Sequence, residues 1–431
     1  MNSNFQKLKD NVLVKVSSFN ALGVIIMSVT SLVSSKVIAL YLGAEGMALI
    51  GNLRNVLTTI QSISTLGLYN GVVRYISEYK KNKKEMAAML STAYYTCLLV
   101  TIVLSVFLYI GSDFWNALIF TDRYDFRYIF EAMAIALPFY AANTFCLAII
   151  NGFSKYKVYI ILNIIGSISG LFVTIFLVLQ FNLDGAFIAI IVNPVISFFI
   201  TIILVLNQQN FIKFLKVKRI SLKYLKSLST YAVMALISAT ILPAILIRIR
   251  NFIILNEGAN EAGYWEAMQR ISGQYMMFIT TLLTVYLLPK FSEIKRSNDF
   301  KKEVFGFYKI ILPVFFIGFL LIYLLRNLII ALLFSEDFKG MESLFSWQLS
   351  GDFVKIASLV IAYQLLAKKM FWYYLITEII SFVILYYSSM YLIAEFGFKG
   401  ASMAHFYNYV CYFIVLLILF RKSLFGPDRS I

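Results

Sequence analysis

The 431 residues are 60% hydrophobic and only 14% charged, with a mean hydropathy of +0.80, a balance that no soluble domain of this length needs to fill its core. A formal net charge of +16 would suit nucleic acid, but the basic residues sit in short clusters between apolar stretches rather than along one soluble face, so no nucleic-acid partner is expected. Three cysteines, Cys97, Cys146 and Cys411, and a single histidine, His405, form neither a CxxC pair nor a zinc constellation; they read as packing residues, and no cofactor is expected.

No short apolar segment followed by a small-residue cleavage site opens the chain, so the first span is expected to stay in the mature protein. Hydropathy and breaker residues then divide the chain into twelve spans, near 12–41, 45–78, 87–110, 127–152, 157–180, 185–206, 227–255, 261–292, 305–326, 341–367, 370–394 and 399–421. Runs near 20 residues suffice to cross roughly 30 Å of hydrocarbon as helices. The connections alternate in character. Arg74 to Lys84, Lys155 to Lys157, Lys213 to Lys226, Lys290 to Lys302 and Lys368-Lys369 are basic, whereas Gly43 to Gly46, Phe181 to Asp184 and Asn256 to Glu261 are not. With roughly 25 Lys and Arg on one side against about five on the other, the basic side faces the cytoplasm and both termini lie there. Trp115, Trp265 and Trp347 fall near outer span ends and Trp372 near an inner one, where amphipathic rings suit the interface.

The two halves echo one another. Phe181-Asn182-Leu183-Asp184-Gly185-Ala186 recurs as Phe396-Gly397-Phe398-Lys399-Gly400-Ala401, and Ser77-Glu78-Tyr79-Lys80 recurs as Ser292-Glu293-Ile294-Lys295, both displaced by 215 positions. A constant offset points to duplication. The expectation is an all-α polytopic protein: a six-helix lobe over 1–210, a basic cytoplasmic linker over 211–226 and a second six-helix lobe over 227–431. A pseudo-twofold axis would run along the membrane normal, with a central cavity.

A cation near the bilayer centre costs roughly 2.5–3.5 kcal/mol, so each must face a cavity, find a partner or snorkel. Lys36 precedes Gly43 by seven residues and Arg250 precedes Gly258 by eight, within snorkelling reach of the outer surface. Arg54 and Arg270 lie about nine residues inside their spans, on the order of 13 Å deep. By the repeat, Lys36 with Arg54 corresponds to Arg250 with Arg270, and these four are the candidate substrate-binding cations of one cavity. Arg248 and Arg250 lie about 200° apart around a helix, so only one can face it squarely. Four further charges have either a coupling or a structural role: Glu266, spaced i, i+4 from Arg270; Asp352 with Lys355, read as an internal pair; and Glu378. Arginine suits phosphate because its planar fork donates parallel hydrogen bonds and stays charged, which implies an anionic headgroup. No GxxxxGK[ST] loop, Ser/His/Asp set or paired carboxylates occur, so a transporter rather than an enzyme is expected.

Lys36 to Arg54 (KVIALYLGAEGMALIGNLR), Gly67-Leu68-Tyr69-Asn70-Gly71-Val72, Met234-Ala235-Leu236-Ile237, Val285-Tyr286-Leu287-Leu288-Pro289, and Trp347-Gln348-Leu349-Ser350-Gly351-Asp352 with Lys355 occur in an order that resembles the Wzx-type O-antigen flippases of the multidrug/oligosaccharidyl-lipid/polysaccharide exporter superfamily, in particular the lipid III flippase branch. The resemblance covers nearly the whole chain. It implies alternating access and translocation of undecaprenyl-diphosphate-linked oligosaccharide from the cytoplasmic to the periplasmic leaflet of a bacterial inner membrane. Membrane lipids, a glycan polymerase and a chain-length regulator would be the partners. It also implies that Lys36, Arg54 and Arg250 match family basic positions, while Arg270 stands where this branch more often has a small polar residue. Two other functions compete. An ion-coupled exporter of cationic drugs would need carboxylates in its lumen, and a membrane glycan polymerase or ligase would need large outer loops.

Overall fold

A computed structural model describes residues 12–79, 82–120, 124–206 and 222–428 of the chain. Among the described residues the chain is nearly all helical, and it is a multi-pass membrane protein. In chain order the α-helices are α1 (Val12–Ser64), α2 (Tyr69–Glu78), α3 (Lys83–Ile110), α4 (Ser112–Phe120), α5 (Arg127–Gly152), α6 (Tyr156–Leu206), α7 (Leu222–Asn256), α8 (Ala259–Leu282), α9 (Leu288–Glu293), α10 (Ser297–Leu324), α11 (Arg326–Leu333), α12 (Phe345–Ala367), α13 (Phe371–Phe396) and α14 (Lys399–Leu424). A π-helical turn, Leu283–Leu287, separates α8 from α9, and a 3-10 segment, Glu336–Leu344, leads into α12.

Among the described residues, nine helices are long and apolar enough to cross a membrane, against the twelve spans expected. Span one and most of span two lie in α1, which is two helices meeting at Gly43, and spans five and six lie in α6, which is two helices meeting at Asn182. Span eight corresponds largely to α8, which is absent from the nine. Its Trp265, Glu266 and Arg270 are buried in protein, so this helix need not present an apolar surface to lipid. The other helices do present one, with Ile110 at 78% and Leu99 at 65% exposure on α3, as expected where lipid rather than water is the solvent.

The chain divides into two compact units, Met1–Tyr41 with Asn52–Ala244, and Leu42–Gly51 with Ile245–Ile431. The linker expected over 211–226 lies, up to residue 221, outside the described residues, as do the chain's first eleven. In the first unit, Leu68, just before α2, and Val72 and Ile76 of α2 pack with Met86, Met89 and Leu90 of α3 and with Ala148 and Ile149 of α5. Thr101 Oγ1 on α3 donates to the Ser64 carbonyl at the end of α1, satisfying a helix-end acceptor that lipid cannot. In the second unit α12, α13 and α14 pack side by side, and Tyr308 of α10 donates its hydroxyl to the Ala357 carbonyl of α12 at 2.6 Å.

Left-handed backbone recurs at the offset read from the sequence. Gly43 (φ 64°) and Gly258 (φ 132°), Ser154 (φ 59°) and Lys369 (φ 54°), and Asn182 (φ 49°) and Gly397 (φ 69°) are each 215 positions apart. The middle pair ends α5 and α12 with the same cap. The Lys155 N–H returns to the Ile150 carbonyl at 3.1 Å and the Met370 N–H to that of Leu365 at 2.8 Å, the six-to-one bond of a Schellman motif.

Glycine meets these geometries without steric cost, whereas other residues lose about 1–2 kcal/mol in left-handed backbone. A Cβ added to Gly43 would touch nothing within 4 Å, so Gly43→Ala isolates the backbone term. It is expected to lower the unfolding midpoint of the detergent-solubilised protein, while Lys369→Gly, at an exposed site, raises it. Unchanged midpoints for both would remove left-handed strain from the account of these turns.

Candidate substrate-binding site

The anticipated cations take different surroundings. In the first unit Lys36 and Arg54 are both half-buried on α1, and the backbone carbonyl of Arg54 accepts from Thr58 Oγ1 at 2.8 Å. In the second unit Arg250 is only 2% exposed, whereas Arg248, two residues earlier, is exposed. Their angular separation around α7 thus sends one guanidinium into protein and the other out.

Arg250 and Arg270 converge on one carboxylate. Arg250 Nη2 donates to Glu266 Oε2 at 2.5 Å, and Arg270 Nε donates to Glu266 Oε1 at 3.2 Å. All three residues are buried. The i, i+4 spacing on α8 supplies the Arg270 half of the arrangement, and α7 supplies the other from 16 positions earlier. Trp265, expected at a membrane interface, is instead 2% exposed, and the Arg250 guanidinium carbon stands 5.4 Å from its ring centroid. The aromatic face offers the cation a weak partner where water is excluded. Gly51 completes the enclosure: a Cβ there would come within 2.5 Å of Glu266 Oε2 and 2.9 Å of Arg250 Cζ. With one anion between two cations, the three groups together carry a formal charge of +1.

The remaining predicted charges lie in a second cluster of the same unit, arranged otherwise than the sequence suggested. Asp352, fully buried on α12, does not draw its hydrogen bonds from Lys355. Its Oδ2 accepts from Ser272 Oγ at 2.7 Å, Tyr275 OH at 2.5 Å and Gln348 Nε2 at 3.2 Å, and its Oδ1 meets His405 Nε2 at 2.9 Å. Three residues along the helix from Asp352, Lys355 turns to α14 and stands 5.1 Å from the Tyr409 ring centroid. Glu378 on α13 accepts from Tyr412 OH at 3.4 Å. Sequence reasoning missed Ser272, Tyr275, Gln348 and Tyr409, and it read His405 as mere packing. The hydrophilic face Gln269, Ser272, Tyr275 on α8, spaced by three, was the available signal.

Removing the carboxylate shared by two buried guanidinium groups leaves uncompensated charge, a loss of about 3–5 kcal/mol. Glu266→Ala is therefore expected to lower the thermal midpoint of the purified protein far more than Glu342→Ala, whose ion pair with Arg326 is partly exposed. Equal shifts would show that the Glu266 cluster contributes no more than a surface pair.

Comparisons with known proteins agree with this architecture. Residues 13–295 match the family described as polysaccharide biosynthesis protein. The chain is 27% identical over 423 residues to the lipid III flippase of Escherichia coli (strain K12), covering 95% of this chain and 99% of that one. Among solved structures, an inward-facing multidrug resistance MATE family transporter of the MOP superfamily superposes with a TM-score of 0.76 at 13% identity, over 92% of this chain and 94% of that one. The lipid II flippase MurJ, in an inward closed conformation, gives a TM-score of 0.73 at 15% identity, over 95% and 89%. These two likenesses establish the fold.

Proposed function

We propose, from the premise that this chain belongs to the polysaccharide biosynthesis protein family, that it flips an undecaprenyl-diphosphate-linked oligosaccharide, of O-antigen or enterobacterial-common-antigen type, from the cytoplasmic to the periplasmic leaflet of a bacterial inner membrane. Near full-length similarity to a lipid III flippase supports the cargo class. The observation that carries the reading is the convergence of two buried guanidinium groups, Arg250 and Arg270, on the Glu266 carboxylate, a local surplus of positive charge. A diphosphate needs fixed positive charge and parallel N–H donors, and arginine supplies both without losing its proton. A carrier of cationic drugs would need the opposite surplus.

The residues assigned to the diphosphate are Arg54 and Lys36 in the first unit and Arg250 and Arg270 in the second. Arg54 leads, because its depth along α1, its repeat position and the family pattern agree on it. Arg250 and Arg270 share their charge with Glu266, so their contribution to binding is attenuated relative to a solvated cation. The cycle is alternating access with both termini cytoplasmic, and the flipped product passes to a glycan polymerase and its chain-length regulator.

Depletion of the protein is expected to leave diphosphate-linked oligosaccharide on the cytoplasmic leaflet, measurable by leaflet-selective labelling. Wild type should restore flipping and Arg54→Ala should not. Arg54→Lys should restore it partly, since a point charge replaces a bidentate fork. Full rescue by Arg54→Ala would take Arg54 out of the mechanism, and equal rescue by Arg54→Lys and wild type would reduce its role to charge alone.

A further inference from the structure

Helices α10, α12 and α14 of the second unit leave a groove of about 380 Å3 between them, within the size range of a small-molecule site. Phe316, Phe319 and Leu320 of α10, Leu349 and Phe353 of α12 and Phe406 of α14 form its apolar walls. The floor is closed where the Phe316 and Phe353 rings meet at 6.1 Å between centroids. Ile310, Val314, Ile317 and Leu321 of α10 are each more than half exposed, and Phe316 and Leu320 of the groove are 59% and 47% exposed. Such a helix is surrounded by hydrocarbon, and an apolar groove open to hydrocarbon takes up a lipid chain rather than water.

The groove changes character along the helices. α10 rises from the basic connection Lys290 to Lys302 and ends just before Arg326, so Tyr323 and Ser346 mark the headgroup end. Ser346 to Val354 is eight residues, about 12 Å of helix, against about 15 Å for half the hydrocarbon layer. One chain of one leaflet fits that depth. Ser346 and Ser350, both exposed and one turn apart, line its upper part. Ser358 and Ser388 turn back onto carbonyls four residues earlier, at 2.8 and 2.6 Å. Among the described residues the hydroxyls of Ser346 and Ser350 make no such bond, which leaves two donors at the depth where lipid ester carbonyls lie.

An ion pair stands at the mouth. Arg326 Nε donates to Glu342 Oε1 at 2.8 Å, its Nη2 lies 2.7 Å from the same oxygen, and its Nη1 donates to the Tyr323 carbonyl at 2.9 Å. The guanidinium carbon is 4.5 Å from the centroid of the Tyr323 ring, which itself lines the groove. Glu342 is four residues before Ser346. Three of the five guanidinium N–H groups are thus used and two remain, while both contacts fall on Oε1 and leave Oε2 open. The side chains are 24% and 34% exposed, so a headgroup can reach them.

We propose that this groove binds one glycerophospholipid with an aminoethyl phosphate headgroup. The phosphate takes the remaining N–H groups of Arg326, the ammonium donates to Glu342 Oε2, the ester carbonyls accept from Ser346 and Ser350, and one acyl chain fills the aromatic floor. The charges decide the headgroup. Arg326 and Glu342 sum to zero, so a headgroup with both signs matches them better than one with a net charge. A quaternary ammonium has no N–H to donate to Glu342, and an anionic glycerol headgroup brings no cation to it. A polyprenyl diphosphate would set its negative charge beside Glu342 and has no ester carbonyl for the serines.

Full-length protein in detergent, given equimolar phosphatidylethanolamine, phosphatidylcholine and phosphatidylglycerol of the same chains, can be weighed with its bound lipid by native mass spectrometry. Wild type is expected to retain one phosphatidylethanolamine, about fivefold over either competitor, as suits a partly exposed ion pair. Glu342→Gln is isosteric and should turn the preference to phosphatidylglycerol, because Arg326 then lacks a counter-charge. Ser350→Phe, at an exposed position, fills the groove and should lose the retained lipid. Equal retention of the three lipids by wild type overturns the proposal, as does an ethanolamine preference that survives Glu342→Gln. Retention that survives Ser350→Phe removes the lipid from this groove. Displacement by equimolar undecaprenyl diphosphate would give the groove to the cargo's chain and overturn the proposal as well. The leaflet assay tests the oligosaccharide reading independently of all these outcomes.

Discussion

A charge in the hydrocarbon layer has to be matched within the protein, because no water is there to do it. Much of the second unit follows from that constraint. Arg250 and Arg270 stand where they do because Glu266 is between them, and Glu266 tolerates burial because it has both. Gly51 has no side chain because a Cβ there would collide with this pair. Asp352 is reached by donors from three helices, α8, α12 and α14. These ionic centres fix which helix faces meet far more strictly than apolar contacts do, since apolar side chains gain little by exchanging lipid for protein.

The turns answer the same constraint along the backbone. A helix that must end inside or beside the membrane leaves carbonyls without partners, and the recurrent left-handed residues close them. At Ser154 and Lys369 the cap is the same although the residues differ, and at Asn182 and Gly397 the turn is retained with only one of the two positions a glycine. At these positions 215 residues apart, backbone geometry agrees more closely than the side chains do. Elsewhere the halves part: Leu66 and Gly67 adopt positive φ between α1 and α2, whereas the corresponding stretch of the second half runs into the π turn at Leu283–Leu287.

The function proposed for this bundle, moving a large anionic headgroup past apolar tails, sets two opposed demands. The headgroup needs fixed cations, and the membrane penalises them. Sharing a carboxylate between two guanidinium groups is a compromise that lowers the cost of burial while leaving one formal positive charge.

Hydropathy and the charge of the loops carried most of the fold, since twenty apolar residues in a row have few stable solutions other than a membrane helix. The 215-residue offset in the sequence paired the stretch at Asn182 with that at Gly397, and the i, i+4 spacing of Glu266 and Arg270 and the angular separation of Arg248 from Arg250 were legible because helical geometry is local. Only the tertiary structure brought Arg250 to the far side of Glu266, buried Trp265, and turned Asp352 from its near neighbour Lys355 towards His405, 53 positions away. Such pairings depend on which helix faces meet, and that is decided by packing among helices whose sequences are all apolar, where periodicity carries no record of the partner.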